Sequence, residues 1–307
     1  MNDRVIRGKQ TVSLLGTVLQ IAAPVFLLAA IGYAWVRLGY AYDTAFVTRL
    51  AMTLAIPALI LTALAGTTVD PAAVGAMALA ALTAYAAALA AFWALCRAAR
   101  LEMRTWLAPL VFGNTGNLGL PLCLFAFGEA GLALGVAVFA VTSIGQFTVG
   151  LWLVSGGGSP MPALREPMLG ATVLGGVILW QGWTLPPVAA NALGLIGQMA
   201  IPLMLITLGV AVARLKPDRA GLMAGMAVAK LALGAGLGFA VAWAFGLDRV
   251  AAGVLVVQLA TPVAVTSYML ALRYEAGGAD PQAVAGVVVV STALSVLALP
   301  ALLAVLL

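Results

Sequence analysis

Apolar runs of about 18 residues or more recur along almost the whole of this chain, each long enough to cross a hydrocarbon core of about 30 Å as a helix. They do not alternate polar with apolar positions, as the segment 74–94 illustrates. The strands of a lipid-facing β-barrel would be segments of about ten residues that do alternate. Charge is correspondingly scarce. Only 8% of the 307 residues are charged, where a soluble domain carries about 25%, so the solvent for most of the surface is lipid. The sequence predicts an all-α polytopic membrane protein.

The chain contains no histidine. A His-ligated metal site, a Ser-His-Asp triad and a Cys-His pair are thereby excluded. Cys96 and Cys123 both fall in apolar segments and read as small buried hydrophobes rather than a disulfide framework. The net charge of +5 does not point to nucleic acid, because the basic residues stand between apolar runs, where they set topology.

Reading the runs between charges and Gly/Pro clusters predicts ten spans. Five cover 14–36, 45–65, 72–95, 106–127 and 131–155; five more cover 168–183, 188–212, 220–245, 250–274 and 282–306. The Gly/Ser/Pro-rich stretch from Ser155 to Pro162 separates the two sets. Residues 14–155 then form one five-helix unit, 156–167 a short cytoplasmic linker and 168–306 a second unit. Counting Lys and Arg on alternating loops puts ten on one side (Arg37, Arg49, Arg97, Arg100, Arg104, Arg165, Arg214, Lys216, Arg219, Arg273) and four on the other (Arg4, Arg7, Lys9, Arg249). The richer side is expected to be cytoplasmic, with both termini outside. No cleavable signal peptide is expected, since the first run is too long and lacks a clear cleavage site.

The two units repeat each other. A shift of 145 residues lays Ile56-Pro57 and Thr62 over Ile201-Pro202 and Thr207, and Trp35 over Trp180. One residue further, Asp70-Pro71 falls on Lys216-Pro217, and Glu129-Ala130-Gly131 on Glu275-Ala276-Gly277. An odd number of spans per unit makes the second copy enter from the opposite side, giving an inverted repeat of the kind found in several secondary transporters. Pro57 and Pro202 are expected to break or hinge their helices.

Irregular helices at matching positions are the best pointer to a binding site in such a repeat. Span four carries Gly113-Asn114-Thr115-Gly116-Asn117-Leu118-Gly119-Leu120-Pro121. That is poor helix material, with glycine costing about 1 and proline about 3 kcal/mol relative to alanine. Span nine carries Gln258, Thr261-Pro262 and Thr266-Ser267-Tyr268 at the corresponding depth. Two opposed broken helices would cross near the midplane and offer half-helix N-termini to an anion or carbonyl ends to a cation. Candidate substrate-binding residues are therefore Asn114, Gly116, Asn117, Pro121, Thr261, Pro262, Thr266 and Ser267, with Gly113 and Gly119 as helix-break positions. Ser143 and Gln146 in span five, three apart on one helix face, extend the candidate site. The pattern Gly234–Gly238 reads as a close helix contact.

These residues resemble the auxin efflux carrier family, which includes bacterial malonate and malate permeases. The resemblance rests on the Gly113–Pro121 motif, on the Ile-Pro segments of spans two and seven, and on Thr261-Pro262 followed by Tyr274. It implies a fold related to the bile acid:sodium symporters, with a panel domain and a core domain each drawn from both repeats. It also implies location in the bacterial inner membrane. In the plant branch an asparagine seven residues before the crossover proline helps bind the substrate carboxylate, and by that resemblance the role falls to Asn114. The plant members have a long hydrophilic connection between spans five and six and ionisable residues in span three. Here the connection is short and span three offers only Thr83 and Tyr85. A small organic anion, such as a mono- or dicarboxylate, is the expected substrate rather than auxin.

Of the ionisable residues only Lys230 lies deep in a span, about 16 Å from its start. An intramembrane charge is a candidate functional group by default, so Lys230 joins the candidate site, the alternative being a lysine that snorkels or is held by carbonyls of a helix end. No acidic residue lies at similar depth. The coupling ion stays open between Na⁺, held near Asn117, Gln258 and Thr261, H⁺, and none, with the membrane potential as the driving force. No cofactor or firm metal site is expected. Partners are the organic anion and the lipid bilayer, with a homodimer left open. An enzyme is not expected, since Lys230 has no acidic partner at its depth; a channel or a substrate sensor on the same fold is the alternative to a carrier working by alternating access.

Overall fold

The computed structural model describes residues 2–156, 167–214, 220–274 and 278–307. Most of the expected linker, together with Lys216-Pro217 and Glu275-Ala276-Gly277 from the repeat, lies outside the described residues. The helices are α1 (Asn2–Arg37), α2 (Thr44–Leu50), α3 (Ile56–Gly66), α4 (Pro71–Ala98), α5 (Met103–Val111), α6 (Leu120–Gly145) and α7 (Leu151–Ser155). They continue as α8 (Pro167–Gln181), α9 (Pro187–Gln198), α10 (Ala200–Arg214), α11 (Ala220–Ala244), α12 (Arg249–Leu259), α13 (Val265–Arg273) and α14 (Pro281–Leu306). Wider π-helical turns at Ala51–Ala55, Thr115–Gly119 and Gln146–Gly150 join α2 to α3, lead into α6, and join α6 to α7. Among the described residues there are no strands, and seven helical stretches are long and apolar enough to cross a membrane.

The longest of these stretches, Thr115–Ser155, is a hairpin. Gly128 adopts φ 67° and ψ −158° inside α6, a conformation open to glycine and strained for other residues. A Cβ placed on Gly135 would stand 3.3 Å from the Cβ of Cys123. In an unbroken helix those positions would be about 18 Å apart. The chain therefore doubles back at Gly128, between the expected fourth and fifth spans.

The scarce acidic residues have a local task. Asp43, Asp70, Glu102, Asp248 and Asp280 each cap a helix N-terminus, accepting from Phe46 N, Ala72 N, Arg104 N, Ala251 N and Gln282 N at 2.6–3.0 Å. Pro71 and Pro281 follow two of these caps, where a missing N–H costs nothing and the fixed φ suits a first turn.

The two Ile-Pro segments perturb their helices ahead of the proline rather than at it. The ring of a helical proline conflicts with the carbonyl four residues earlier. For Pro57 that position is Thr53, inside the π-helical turn Ala51–Ala55. For Pro202 it is Gln198, where α9 ends one residue before the break at Met199.

Packing falls into two groups. In one, α3 packs on α8 and α9, and α1 runs along α10; in the other, α4, α5, α6, α11, α12, α13 and α14 share the larger apolar cluster, which α1 and α10 also join through Val18, Ile21, Val25, Leu205 and Leu208. Small residues set the closest approaches, as expected where lipid provides no hydrophobic drive between helices. A Cβ on Gly32 would run into the Ile206 carbonyl, and one on Gly209 into the Ala29 carbonyl. Gly209→Ala should thus push α1 and α10 apart, at an overpacking cost of about 1–3 kcal/mol. A lower melting temperature in detergent is the expected result, and an unchanged one would mean that the contact is not kept in the membrane protein as purified.

Candidate binding site at the helix crossing

Two breaks meet inside the second group. The first is Phe112–Asn114, between α5 and the π-helical turn; the second is Ala260–Ala264, between α12 and α13. Gly113 and Val263 form an isolated antiparallel β-bridge, and Asn114 N donates to Pro262 O at 2.7 Å. The broken backbones satisfy each other, which is how irregular chain is tolerated at membrane depth. Two side chains reinforce the second break. Ser291 Oγ accepts from Val263 N at 3.1 Å, and Thr261 Oγ1 donates to Gln258 O at 2.7 Å.

Gly113 makes the crossing geometrically feasible. A Cβ there would overlap the Thr261 hydroxyl and stand 3.1 Å from Thr261 O and 3.3 Å from Lys230 Nζ. Gly119 has the same relation to the Gln258 side-chain amide, and Gly116 to the Phe139 ring. The break after α5 and the π-helical turn that follows it thus need glycine for close approach.

On one side of the crossing lies a cleft of about 40 Å³, lined by Gly113–Asn117, Ser143, Gln146 and Ala264–Thr266 of the second group. Met52, Ile56 and Met168 of the first group close it. A neighbouring cleft of about 50 Å³ shares Met52, Ile56, Asn117, Val265 and Thr266. Two helices begin at the cleft: the π-helical turn after Asn114, continuing into α6, and α13 after Ala264, neither with a side-chain cap. First-turn amides have no partner within a helix, and the positive ends of both dipoles face one small volume. None of the lining residues is ionisable.

The polar side chains divide clearly. Gln146 Nε2 donates to Thr266 Oγ1 at 2.7 Å and to Ser267 Oγ at 3.4 Å, tying the π-helical turn after α6 to the start of α13. Asn114 Nδ2 is buried without a hydrogen-bond partner. This leaves one orphaned donor beside two helix N-termini.

Residues 158–303 match the family model described as membrane transport protein. Over these residues, just under half of its length, the chain is similar to the auxin efflux carrier family. No curated protein matches it. That family consists of membrane transporters, and the seven long apolar helical stretches among the described residues fit a multi-pass membrane protein.

The structure brings Asn114, Gly116, Asn117, Ser143, Gln146 and Thr266 to one cleft. Ser267 stands behind it on Gln146. Thr261 and Pro262 hold the crossing itself, and Pro121 sits in the first turn of α6, where proline starts rather than breaks a helix. The break expected across Gly113–Pro121 is therefore confined to its first two residues and Phe112. Of the residues considered for Na⁺, Asn117 lines the cleft, whereas Gln258 turns toward Gly119 and Gly135 O. Among the described residues no group of three or more His, Cys, Asp or Glu could hold a metal ion. Lys230 is 2% exposed and does not line the cleft, with Nζ donating to Leu259 O at 3.1 Å. Reading the sequence did not single out Met52, Ile56, Phe139 and Met168 in the cleft, or Ser291 behind it. The first four are ordinary apolar residues of apolar spans, and a serine in a span usually satisfies a local carbonyl, as Ser291 also does to Val288 O.

Proposed function

We propose that this carrier moves small organic anions, mono- or dicarboxylates, by alternating access, binding them in the cleft at the helix crossing. The observation that carries this reading is the pairing of two uncapped helix N-termini with the orphaned Asn114 Nδ2 in a cleft without ionisable residues. Helix N-termini favour anions. The walls of the cleft come from both packing groups, so separating the groups opens it. At about 40 Å³ it has room for a few water molecules, so substrate entry requires that separation. In this reading the group with α1, α3 and α8–α10 is the panel, the group with the crossing is the core, and ten spans form two inverted five-span repeats. The loop charges put both termini outside the cytoplasm, and the short central connection fits the bacterial branch and its inner membrane.

Purified protein screened by thermal shift against mono- and dicarboxylates should melt higher with the bound anion, since a ligand of the folded state stabilises it by mass action. The same anion should show saturable flux in proteoliposomes. Flux linear in concentration would indicate a channel, and stabilisation without flux a sensor.

A further inference from the structure

Lys230 is the one fully buried ionisable side chain with a cationic head among the described residues, and the cleft does not use it directly. Its hydrogen-bond partner is a backbone oxygen. Nζ is hydrogen-bonded to Leu259 O, the last residue of α12, where helix carbonyls lack partners and the dipole is negative. The Thr261 hydroxyl, Thr261 O and Lys230 Nζ all lie within 3.3 Å of the point a Gly113 Cβ would occupy. Two missing side chains make this approach feasible. Gly113 leaves the crossing open to the ammonium, and Gly234, one turn after Lys230 on the same face of α11, would otherwise collide with the Leu259 carbonyl.

A carbonyl helix end beside a hydroxyl and a second carbonyl is the donor set of a monovalent cation site in a broken membrane helix. We propose that the Lys230 ammonium occupies this cation position, so that a charge built into the chain, rather than a bound sodium ion, neutralises the carbonyl end of α12 and supports anion binding across Gly113. Lys230 is then a positioning residue. Its ammonium holds the α12 end through the Leu259 carbonyl, and its charge adds to that of the two helix N-termini at the cleft. The inference rests on the anion-carrier reading only for its purpose; the cation site itself is tested without substrate.

The test is thermal unfolding of the purified full-length protein in sodium, choline and methylammonium chlorides at equal ionic strength. The wild type should melt at the same temperature in sodium and choline. Lys230→Ala should melt lower in choline and regain about 3 °C, saturably, in sodium or methylammonium, as for a ligand well above its dissociation constant. Lys230→Met, whose apolar chain fills the space, should show no such recovery. A saturable gain of the wild type in sodium over choline overturns the proposal, as does a Lys230→Ala protein indifferent to both cations. If Lys230→Ala does not fold, the wild-type comparison decides alone. Failure here leaves the anion reading standing, and absence of any anion binding leaves this cation result unaffected.

Discussion

Asn114→Asp should abolish anion binding while leaving the protein folded. The backbone of Asn114 makes the structural bonds: its N–H goes to Pro262 O, and its carbonyl accepts from Leu118 N and Gly119 N at 3.2 and 3.1 Å. None of these involves the side chain. Aspartate has the same shape and is an equally good residue at a helix start, where a favoured negative charge offsets part of the cost of burying a carboxylate, so the protein should stay folded with at most a modest loss in melting temperature. The cleft has no basic lining residue to offset a new carboxylate, and a like charge beside a bound anion opposes it strongly at low dielectric. Affinity should fall at least about 100-fold. Asn114→Ala, which removes only the donor, should lose about 10- to 100-fold, in line with about 1.5–3 kcal/mol for a hydrogen bond to a charged group. Carboxylate titration by thermal shift, paired with flux in proteoliposomes, separates the two variants. Wild-type affinity in Asn114→Asp would sink the assignment of the cleft.

The all-helical, apolar character was legible because lipid makes a simple demand: apolar residues for the length of a helix, with charges at the ends; of the ten spans expected, seven helical stretches among the described residues are long and apolar enough to cross a membrane. Asp70 and Asp280 could be placed at helix starts from that rule alone, and the structure gives them the further task of capping. The crossing was legible for a different reason. Gly113, Gly116 and Thr261-Pro262 are expensive inside a helix, and residues that oppose local preference mark places where tertiary contacts decide. What could not be read was the partner of each exception. Nothing in the sequence says that Gly119 faces Gln258, that Gly113 faces Thr261, or that Gln146 reaches Thr266 over 120 residues of chain. Those are distances between helices, and one sequence specifies them only through packing. Lys230 shows the same limit. Its depth was evident, but both a cavity-facing and a carbonyl-held lysine fitted that depth, and the Leu259 carbonyl decided it. The π-helical turn at Gln146–Gly150 had no signal; Thr148, whose hydroxyl bonds back to a carbonyl four residues earlier, resembles any other threonine in a span.

Gly113→Ala should lower both stability and flux. The new methyl overlaps the Thr261 hydroxyl, and that hydroxyl cannot turn away without releasing Gln258 O, to which it donates at 2.7 Å in a site with no solvent exposure. On its other sides the methyl meets Thr261 O and Lys230 Nζ. Relief requires the two broken helices to separate, which lengthens the Asn114 N to Pro262 O bond and the Gly113–Val263 bridge. Overpacking of this kind costs about 1–3 kcal/mol, and a buried backbone group left unpaired adds about 1–3 more. Melting temperature should drop, and flux should fall by at least about tenfold even in the fraction that remains folded, because the N-termini that bind the anion no longer face one point. Thr261→Ala removes the hydroxyl that the methyl meets. Combined with Gly113→Ala it should restore part of both properties, giving a coupling energy of about 1 kcal/mol or more in a double-mutant cycle. Additive losses in that cycle would show that the two positions are not in contact and would remove the geometric basis of the crossing. Partial recovery tied to Thr261, and not to a substitution at Gly128 on the distant hairpin bend, would locate the constraint at the point where spans four and nine meet.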